Sequence, residues 1–427
     1  MRFVTPVALA LALAVTSGAV SAPAFAQKKE KKAKPGAAPK LNVSPEVIKP
    51  LQAAQEAMGK QDIEGAKALI AQAEGLSKSN DDRYQTAAIK LNLSIAAKDA
   101  AMQGEALRTM LDSGLTPASE VGQYSAIAAD ADLAAKNYDS AITRAQAAIQ
   151  AGYRPEMVNA TLAQAYFGKA GTGNATAEPA RTNTINGLTA LKAGVEANKA
   201  AGQPVPAQWY QIGVQRAAAA NLPELGEWAK QAYAADPSGE NLRTLIRIFQ
   251  RGHPNITNRE NLDVLRLMSV SGGLVVAGDF TEYAETAWKT GIYGEVKTAI
   301  DAGRSKGVLT GNQGADFYQQ AVPRIESDKA SLGAAEADSR KSANGRVALA
   351  TADAYMGYGN YAKATELFEV AKQKGGVDAD EVNSRIGIAK ALAGDTAGAK
   401  AAFETVQAGA RKDIAGLWLT YLASKGA

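Results

Sequence analysis

Gly359-Asn360-Tyr361-Ala362-Lys363-Ala364-Thr365-Glu366-Leu367-Phe368-Glu369-Val370-Ala371 returns thirty-five residues later as Gly394-Asp395-Thr396-Ala397-Gly398-Ala399-Lys400-Ala401-Ala402-Phe403-Glu404-Thr405-Val406. Ala364 aligns with Ala399, Phe368 with Phe403 and Ala371 with Val406. In each copy the three positions fall at i, i+4 and i+7, which is one face of a helix. A Gly-Asn or Gly-Asp pair precedes each helix and marks the turn into it.

The same spacing recurs upstream. Ala66, Ile70 and Ala73 form one copy, and Ala106, Met110 and Ser113 another. Asn137-Tyr138 with Ala141, Ala145 and Ala148 forms a third, and Tyr293 with Val296, Ile300 and Gly303 a weaker one. Leu162, Ala163 and Tyr166 belong to a first helix whose partner starts near Arg181, with residues 171–179 inserted between them. Counting Leu225, the anchors stand at 66, 106, 141, 225, 296, 364 and 399. The last two long gaps, of 71 and 68 residues, each hold room for one more unit. Leu242, Leu245 and Phe249 with Leu262, Leu265 and Met268 supply the first, with His253-Pro254 in its turn. Ala330, Ala334 and Ala337 supply the second. No stretch of any length alternates with a period of two, so strands are not expected.

Trp209, Ile212, Gly213, Leu225, Ala229, Ala232 and Asp236-Pro237 resemble the tetratricopeptide pattern W-x2-L-G-x2-Y…A-x3-F…P. The departures are Arg216 for Tyr, Leu225 for the first Ala and Ala229 for Phe. The resemblance covers most of Ser44 to Ala427. It implies an all-α, right-handed α-solenoid of about ten stacked antiparallel helical hairpins. One hairpin cannot bury its own apolar stripe, so stacking holds the array together. Residues 410–427, with Ile414, Leu417, Trp418, Tyr421 and Leu422, are expected to cap it. The resemblance further implies a concave groove for proteins or peptides, walled by the first helix of each hairpin. Mapped onto this sequence, the wall includes Asp130, Gln164, Phe167, Tyr210, Glu285, Trp288, Lys289, Asp353 and Met356.

The N-terminus reads differently. Residues 1–26 have the form of a cleaved secretory signal: Arg2, an apolar Val7 to Val15, and Ala24-Phe25-Ala26 before a cut at Gln27. The rival is an uncleaved inner-membrane anchor, because Val4 to Phe25 carries no charge and is long enough to span. Residues 27–43 form a Lys/Ala/Pro linker with too little apolar surface to order itself. The solenoid is expected over 44–409. A periplasmic or secreted location follows from the signal.

Charge follows the same division. The chain is +4 overall, but residues 28–40 hold six lysines against Glu30. From Leu41 onward the balance is −2, which leaves the body no electrostatic footprint for nucleic acid. The lysine run reads as a solvated linker, with weak contact to an anionic surface as the functional alternative.

Catalytic chemistry has few places to stand. There is no cysteine and one histidine, which excludes disulfides, thiolate sites and multi-His metal centres. No phosphate-binding loop or common serine-nucleophile motif occurs. Gly171-Thr172-Gly173 follows no strand, and His253 has no acid near it in sequence. Asp81-Asp82 reads as a helix cap, and Asp130/Asp132 lacks a second acidic cluster. No cofactor or metal is expected. The expected function is a non-catalytic, extracytoplasmic scaffold for an envelope protein or peptide. The alternative is a binding subunit of a cell-wall or polysaccharide machine, with the lysine tail on anionic polymer or lipid. An enzyme built from scattered acids comes third.

Overall fold

The computed structural model describes residues 41–425, within which there are twenty helices and no strand. The expected signal segment and nearly all of the linker lie outside the described residues. Seven hairpins come first: α1 (Pro45–Gly59) with α2 (Ile63–Leu76), α3 (Asn80–Ala97) with α4 (Ala100–Asp112), α5 (Ala118–Ala134) with α6 (Tyr138–Gln150), α7 (Pro155–Ala170) with α8 (Ala180–Ala200), α9 (Ala207–Ala219) with α10 (Leu225–Ala235), α11 (Gly239–Gly252) with α12 (Asn258–Ser271), and α13 (Ala277–Lys289) with α14 (Tyr293–Ser305). A single long helix, α15 (Ala315–Lys341), follows. Two more hairpins are α16 (Arg346–Gly357) with α17 (Tyr361–Lys374) and α18 (Ala379–Leu392) with α19 (Thr396–Phe403). The chain closes with α20 (Gly409–Lys425). Consecutive helices pack on one another throughout, which is the order of an α-solenoid with tetratricopeptide-like hairpins.

The repeated triplets explain the stacking. Ala66, Ile70 and Ala73, Ala141, Ala145 and Ala148, Ala364, Phe368 and Ala371, and Ala399, Phe403 and Val406 are all buried. Small side chains at these crossings let two helices touch. Gly213 on α9 shows why: a Cβ there would sit 2.2 Å from the Trp228 ring on α10, so the indole lies directly on backbone. Gly387 and Phe403 repeat the arrangement between α18 and α19, at 2.6 Å.

Turn chemistry repeats too. Asp62, Asp99, Asn360 and Asp395 each accept a hydrogen bond from the backbone N–H three residues on, capping α2, α4, α17 and α19. The residue before the cap has positive φ in each case: Gln61, Lys98, Gly359 and Gly394. Asp81 and Asp82 lie inside the first turn of α3 rather than at its cap: Ser79 is the cap, and Asp82 completes a capping box by accepting from Ser79 N at 3.1 Å while also accepting from Ser44 N at 2.7 Å.

Two parts of the array depart from the sequence-based expectation. Ala330, Ala334 and Ala337 lie together on α15, but all three are exposed. Ala321, Ile325, Leu332 and Ser339 form its buried face instead. The 68-residue gap therefore holds one unpaired helix, because α15 runs straight through the point where a turn was expected. The second departure is α12. Residues 262 to 268 are all buried in succession, so α12 is covered on every side. Besides α11 and α13 it packs against α18 and α20. The helix expected only to cap the array thus returns to α11 and α12 as well. Its Trp418 is fully buried, Trp418 Nε1 donates to Asp263 O at 3.2 Å, and Tyr233 Oη shares a hydrogen with Ser424 Oγ at 2.8 Å.

Candidate functional site

The nine groove residues separate into three groups. Phe167, Tyr210 and Met356 are core: each is under 8% exposed. Arg216 lies over the Phe167 ring at 4.8 Å, and Gly187 abuts its edge. These side chains turn inward between stacked hairpins, so they are packing residues and not a groove wall.

Asp353 is also buried, and it belongs to an ion cluster that the sequence did not announce. Arg266 of α12 donates to Glu295 of α14 at 2.7 and 2.9 Å and to Asp263 at 2.8 Å. Arg385 of α18 pairs with Asp353 of α16, with Glu381 at 3.3 Å and with Asp263 at 3.6 Å. Arg411 of α20 reaches Asp263 at 3.4 Å and Glu381 at 3.3 Å, and Arg259 reaches Asp353 at 3.3 Å. Tyr283 Oη donates to Glu295 at 2.9 Å. Four arginines meet four carboxylates, so the cluster has no net charge. Burial works against the Arg266 charge, but Glu295 and Asp263 beside it hold its pKa above the ordinary range. Arg385 is held up likewise by Asp353 and Asp263 against burial. These groups neutralise one another and tie α12, α14, α16, α18 and α20 together. On a single helix, Arg266 and Arg385 look like solvent-facing charges, which is why sequence reasoning passed over them.

Glu285, Trp288 and Lys289 share α13. Glu285 and Lys289 pair at 2.7 Å on the surface. Trp288 is half-buried, with Arg324 over its ring at 4.7 Å and Tyr293 beside it at 5.6 Å. That indole face is already occupied from within the chain.

Asp130 and Gln164 remain, and the fold brings them together. Both are exposed. Thr161 of α7 donates to Asp130 of α5 at 2.8 Å, and Gln164 lies one turn beyond Thr161. Met157, 49% exposed, lies one turn before it. Gln123 and Ile127 occupy the same stripe of α5 as Asp130, at i, i+4 and i+7. Desolvation pushes the Asp130 carboxyl up although its side chain reaches water, with Thr161 opposing. Neighbouring side chains of α5 and α7 crowd the carboxylate without covering it. The patch therefore offers one carboxylate, two amides and two apolar side chains on adjacent first helices. Met157 was missed because exposure of a methionine cannot be read from spacing.

His253 stacks on Phe249 at 4.5 Å, and its Nδ1 lies 3.0 Å from Phe249 O. The fold supplies the acid that the sequence lacked: Asp413 of α20 stands 3.1 Å from His253 Nε2. The pair joins the α11–α12 turn to α20. Asp132 is engaged by Arg108 at 2.5 Å and by Ser140 at 2.6 Å. Among the described residues no group of acids or histidines could hold a metal ion, and no helix is long and apolar enough to cross a membrane. A surface cleft between α2, α3 and α4 contains Lys90, whose ammonium is held by Glu74 at 2.8 Å and Glu105 at 3.0 Å.

No protein-family model matches the chain, and no curated protein matches it. Among solved structures it is similar to a human IFIT1 dimer with m7Gppp-AAAA, at 14% identity over 90% of this chain and 84% of that one, with a TM-score of 0.23. A score that low supports no inference about this chain.

Proposed function

We propose that the chain is a non-catalytic binding scaffold that takes a segment of a partner protein on the inner face of α5 and α7. The observation that carries this reading is Asp130, open to solvent yet desolvated, beside Gln164 and Met157. Amides that pair a peptide backbone, a carboxylate that pairs Lys or Arg, and an apolar anchor are the means of peptide recognition. The partner segment is thus cationic and partly apolar. With Ala24-Phe25-Ala26 as the export signal, the partner belongs to the cell envelope.

Site-specific photo-crosslinking tests this. A crosslinker at Gln164 should capture a defined partner from native envelope material, whereas one at Lys230, exposed on α10, should not. Asp130→Lys should abolish the Gln164 adduct. Equal capture at both positions would reject the α5–α7 face. If capture instead depends on residues 28–40 and vanishes with salt, the lysine tail on anionic polymer is the better reading.

A further inference from the structure

The helices α5 and α7 have a counterpart elsewhere in the chain, and there the matching face is occupied. The turns that end α5, α16 and α18 are built alike. Lys136, Gly359 and Gly394 have positive φ. The N–H of the next residue returns to a carbonyl five residues back: Asn137 to Asp132 at 2.8 Å, Asn360 to Tyr355 and Asp395 to Lys390 at 2.9 Å. Counting back from these turns gives a common register. Asp130 and Asp353 both stand six residues before the turn residue. Each accepts a hydrogen bond from the first helix of the next hairpin, Asp130 from Thr161 of α7 and Asp353 from Arg385 of α18. Thr161 lies four residues after Met157 and three before Gln164, as Arg385 lies four after Glu381 and three before Ile388. The pair α5–α7 therefore matches α16–α18 position for position: Asp130 with Asp353, Met157 with Glu381, Thr161 with Arg385.

On α16 and α18 the matching face holds α12. This helix packs on α18, and its Arg259, Asp263 and Arg266 stand at i, i+4 and i+7 on one side. Arg259 bridges the two helices, 3.3 Å from Asp353 and 3.5 Å from Glu381. Asp263 receives Arg385 at 3.6 Å. Among the described residues no third helix takes that place on α5 and α7. Asp130 and Gln164 are exposed, Met157 is 49% exposed, and Asp130 pairs with no cation. Thr161 is neutral, so nothing on α7 supplies the charge that Arg385 gives Asp353.

We propose that the partner segment taken by α5 and α7 is an amphipathic α-helix, seated as α12 is seated on α16 and α18, with a basic residue at the place of Arg259 paired to Asp130. This rests on the binding reading of the α5–α7 face given above. The chemistry of the helix follows from the exchanges. Met157 stands where α18 has Glu381, so the aliphatic stem of the basic side chain lies on a thioether. Thr161 stands where α18 has Arg385, so the residue one turn further along the helix, at the place of Asp263, has no guanidinium to meet. An acid there would be left unpaired, and an apolar side chain fits instead. A basic residue followed four positions later by an apolar one is the pattern this face selects.

A synthetic helix tests this: a labelled peptide of residues 257–271 carrying Asp263→Leu, titrated with the full chain by fluorescence anisotropy. It should bind. Arg259→Gln in the peptide, or Asp130→Asn in the chain, should each weaken binding about fivefold to tenfold. The two changes together should weaken it no further, since both remove one pair. Restoring Asp263 in the peptide should also weaken binding. Val264 points away from the docking side at 100° per residue, so Val264→Pro breaks the helix without altering that side, and it should abolish binding. A proline peptide that binds as well as its parent overturns the helix. Binding indifferent to Asp130→Asn puts the peptide elsewhere, on α16–α18 in place of α12 among other sites, and overturns the proposal. So does a peptide that does not bind. Partner capture at Gln164 judges the face separately, so successful capture with a failed peptide rejects the helix alone.

Discussion

Trp418 donates its indole N–H to the main-chain carbonyl of Asp263, 155 residues earlier. The indole is fully buried, stacked on Phe403 at 5.8 Å and edge-on to Tyr421 at 6.2 Å. A repeat array whose units touched only their neighbours would have no such contact. Here the last helix is bonded to a helix in the middle of the chain.

Trp418→Ala should therefore cost about 3–5 kcal/mol, the usual range for removing a buried Trp. The loss should not be confined to the end. Hydrogen exchange with mass-spectrometric readout should show lost protection in α12 as well as in α18 and α19. Loss limited to α18–α20 would mean that the contact with Asp263 adds nothing to α12.

Arg385 is 2% exposed at its side chain and faces Asp353, Asp263 and Glu381. Arg385→Leu should destabilise by about 3–5 kcal/mol, because it leaves buried carboxylates without a counter-charge. Adding Asp353→Leu should recover part of this, since one of those carboxylates goes too. Urea midpoints of the parent, the single and the double variant decide it. A double variant no better than the single would show that the cluster is not acting through charge balance.

Asp279 and Asp82 give the fold an acid-sensitive component. Both are fully buried, and burial raises their carboxyl pKa values. Arg243, Arg247 and two backbone N–H groups outweigh this for Asp279, and the Ser44 and Ser79 groups do so for Asp82, so both end well below the ordinary range. A carboxyl depressed in the folded state contributes its full stability above its unfolded pKa, about 3.9. That contribution is lost as pH falls through the folded pKa. Thermal melts should fall steeply below about pH 4. Asp279→Asn should lower the melting temperature near neutrality and flatten the acid limb. An unchanged acid limb would place the sensitivity elsewhere.

Ala364→Trp should cost about 1–3 kcal/mol, because Ala364 is wholly buried at a helix crossing. The neighbouring Lys363 is a poor control, because it pairs with Glu336 at 3.1 Å and Glu366 at 2.9 Å. Ala362, which is exposed, is the proper control and should change stability by about 0.5 kcal/mol or less on the same replacement. Limited proteolysis of the two variants gives the comparison. Equal resistance would mean that the crossing tolerates bulk.

Legibility varied with the range of the interaction. Ala66, Ala141, Ala364 and Ala399 could be read from sequence because each packs against a partner helix close in the chain, at a spacing that recurs. Of the groove residues, Asp130 and Gln164 came out exposed and adjacent. Phe167, Tyr210 and Met356 were misplaced because a shift of one residue turns a helical side chain by 100°, enough to move it from groove to core. A degenerate repeat does not fix its register that closely.

Sequence by itself determined the helices, the hairpin order and most of the close-packed crossings. These rest on local periodicity, on the caps at Asp62, Asp99, Asn360 and Asp395, and on contacts between neighbours. Only the tertiary structure decided that α15 stands without a mate, that α12 is enclosed, and that Asp263, Arg266, Glu295, Asp353, Glu381, Arg385 and Arg411 meet. Those residues lie on five helices spread over Asp263 to Arg411. No periodicity links them. Their meeting depends on small rotations accumulated along the array until α20 returns to α11 and α12, and such a sum over many packing angles is written in no single stretch of sequence.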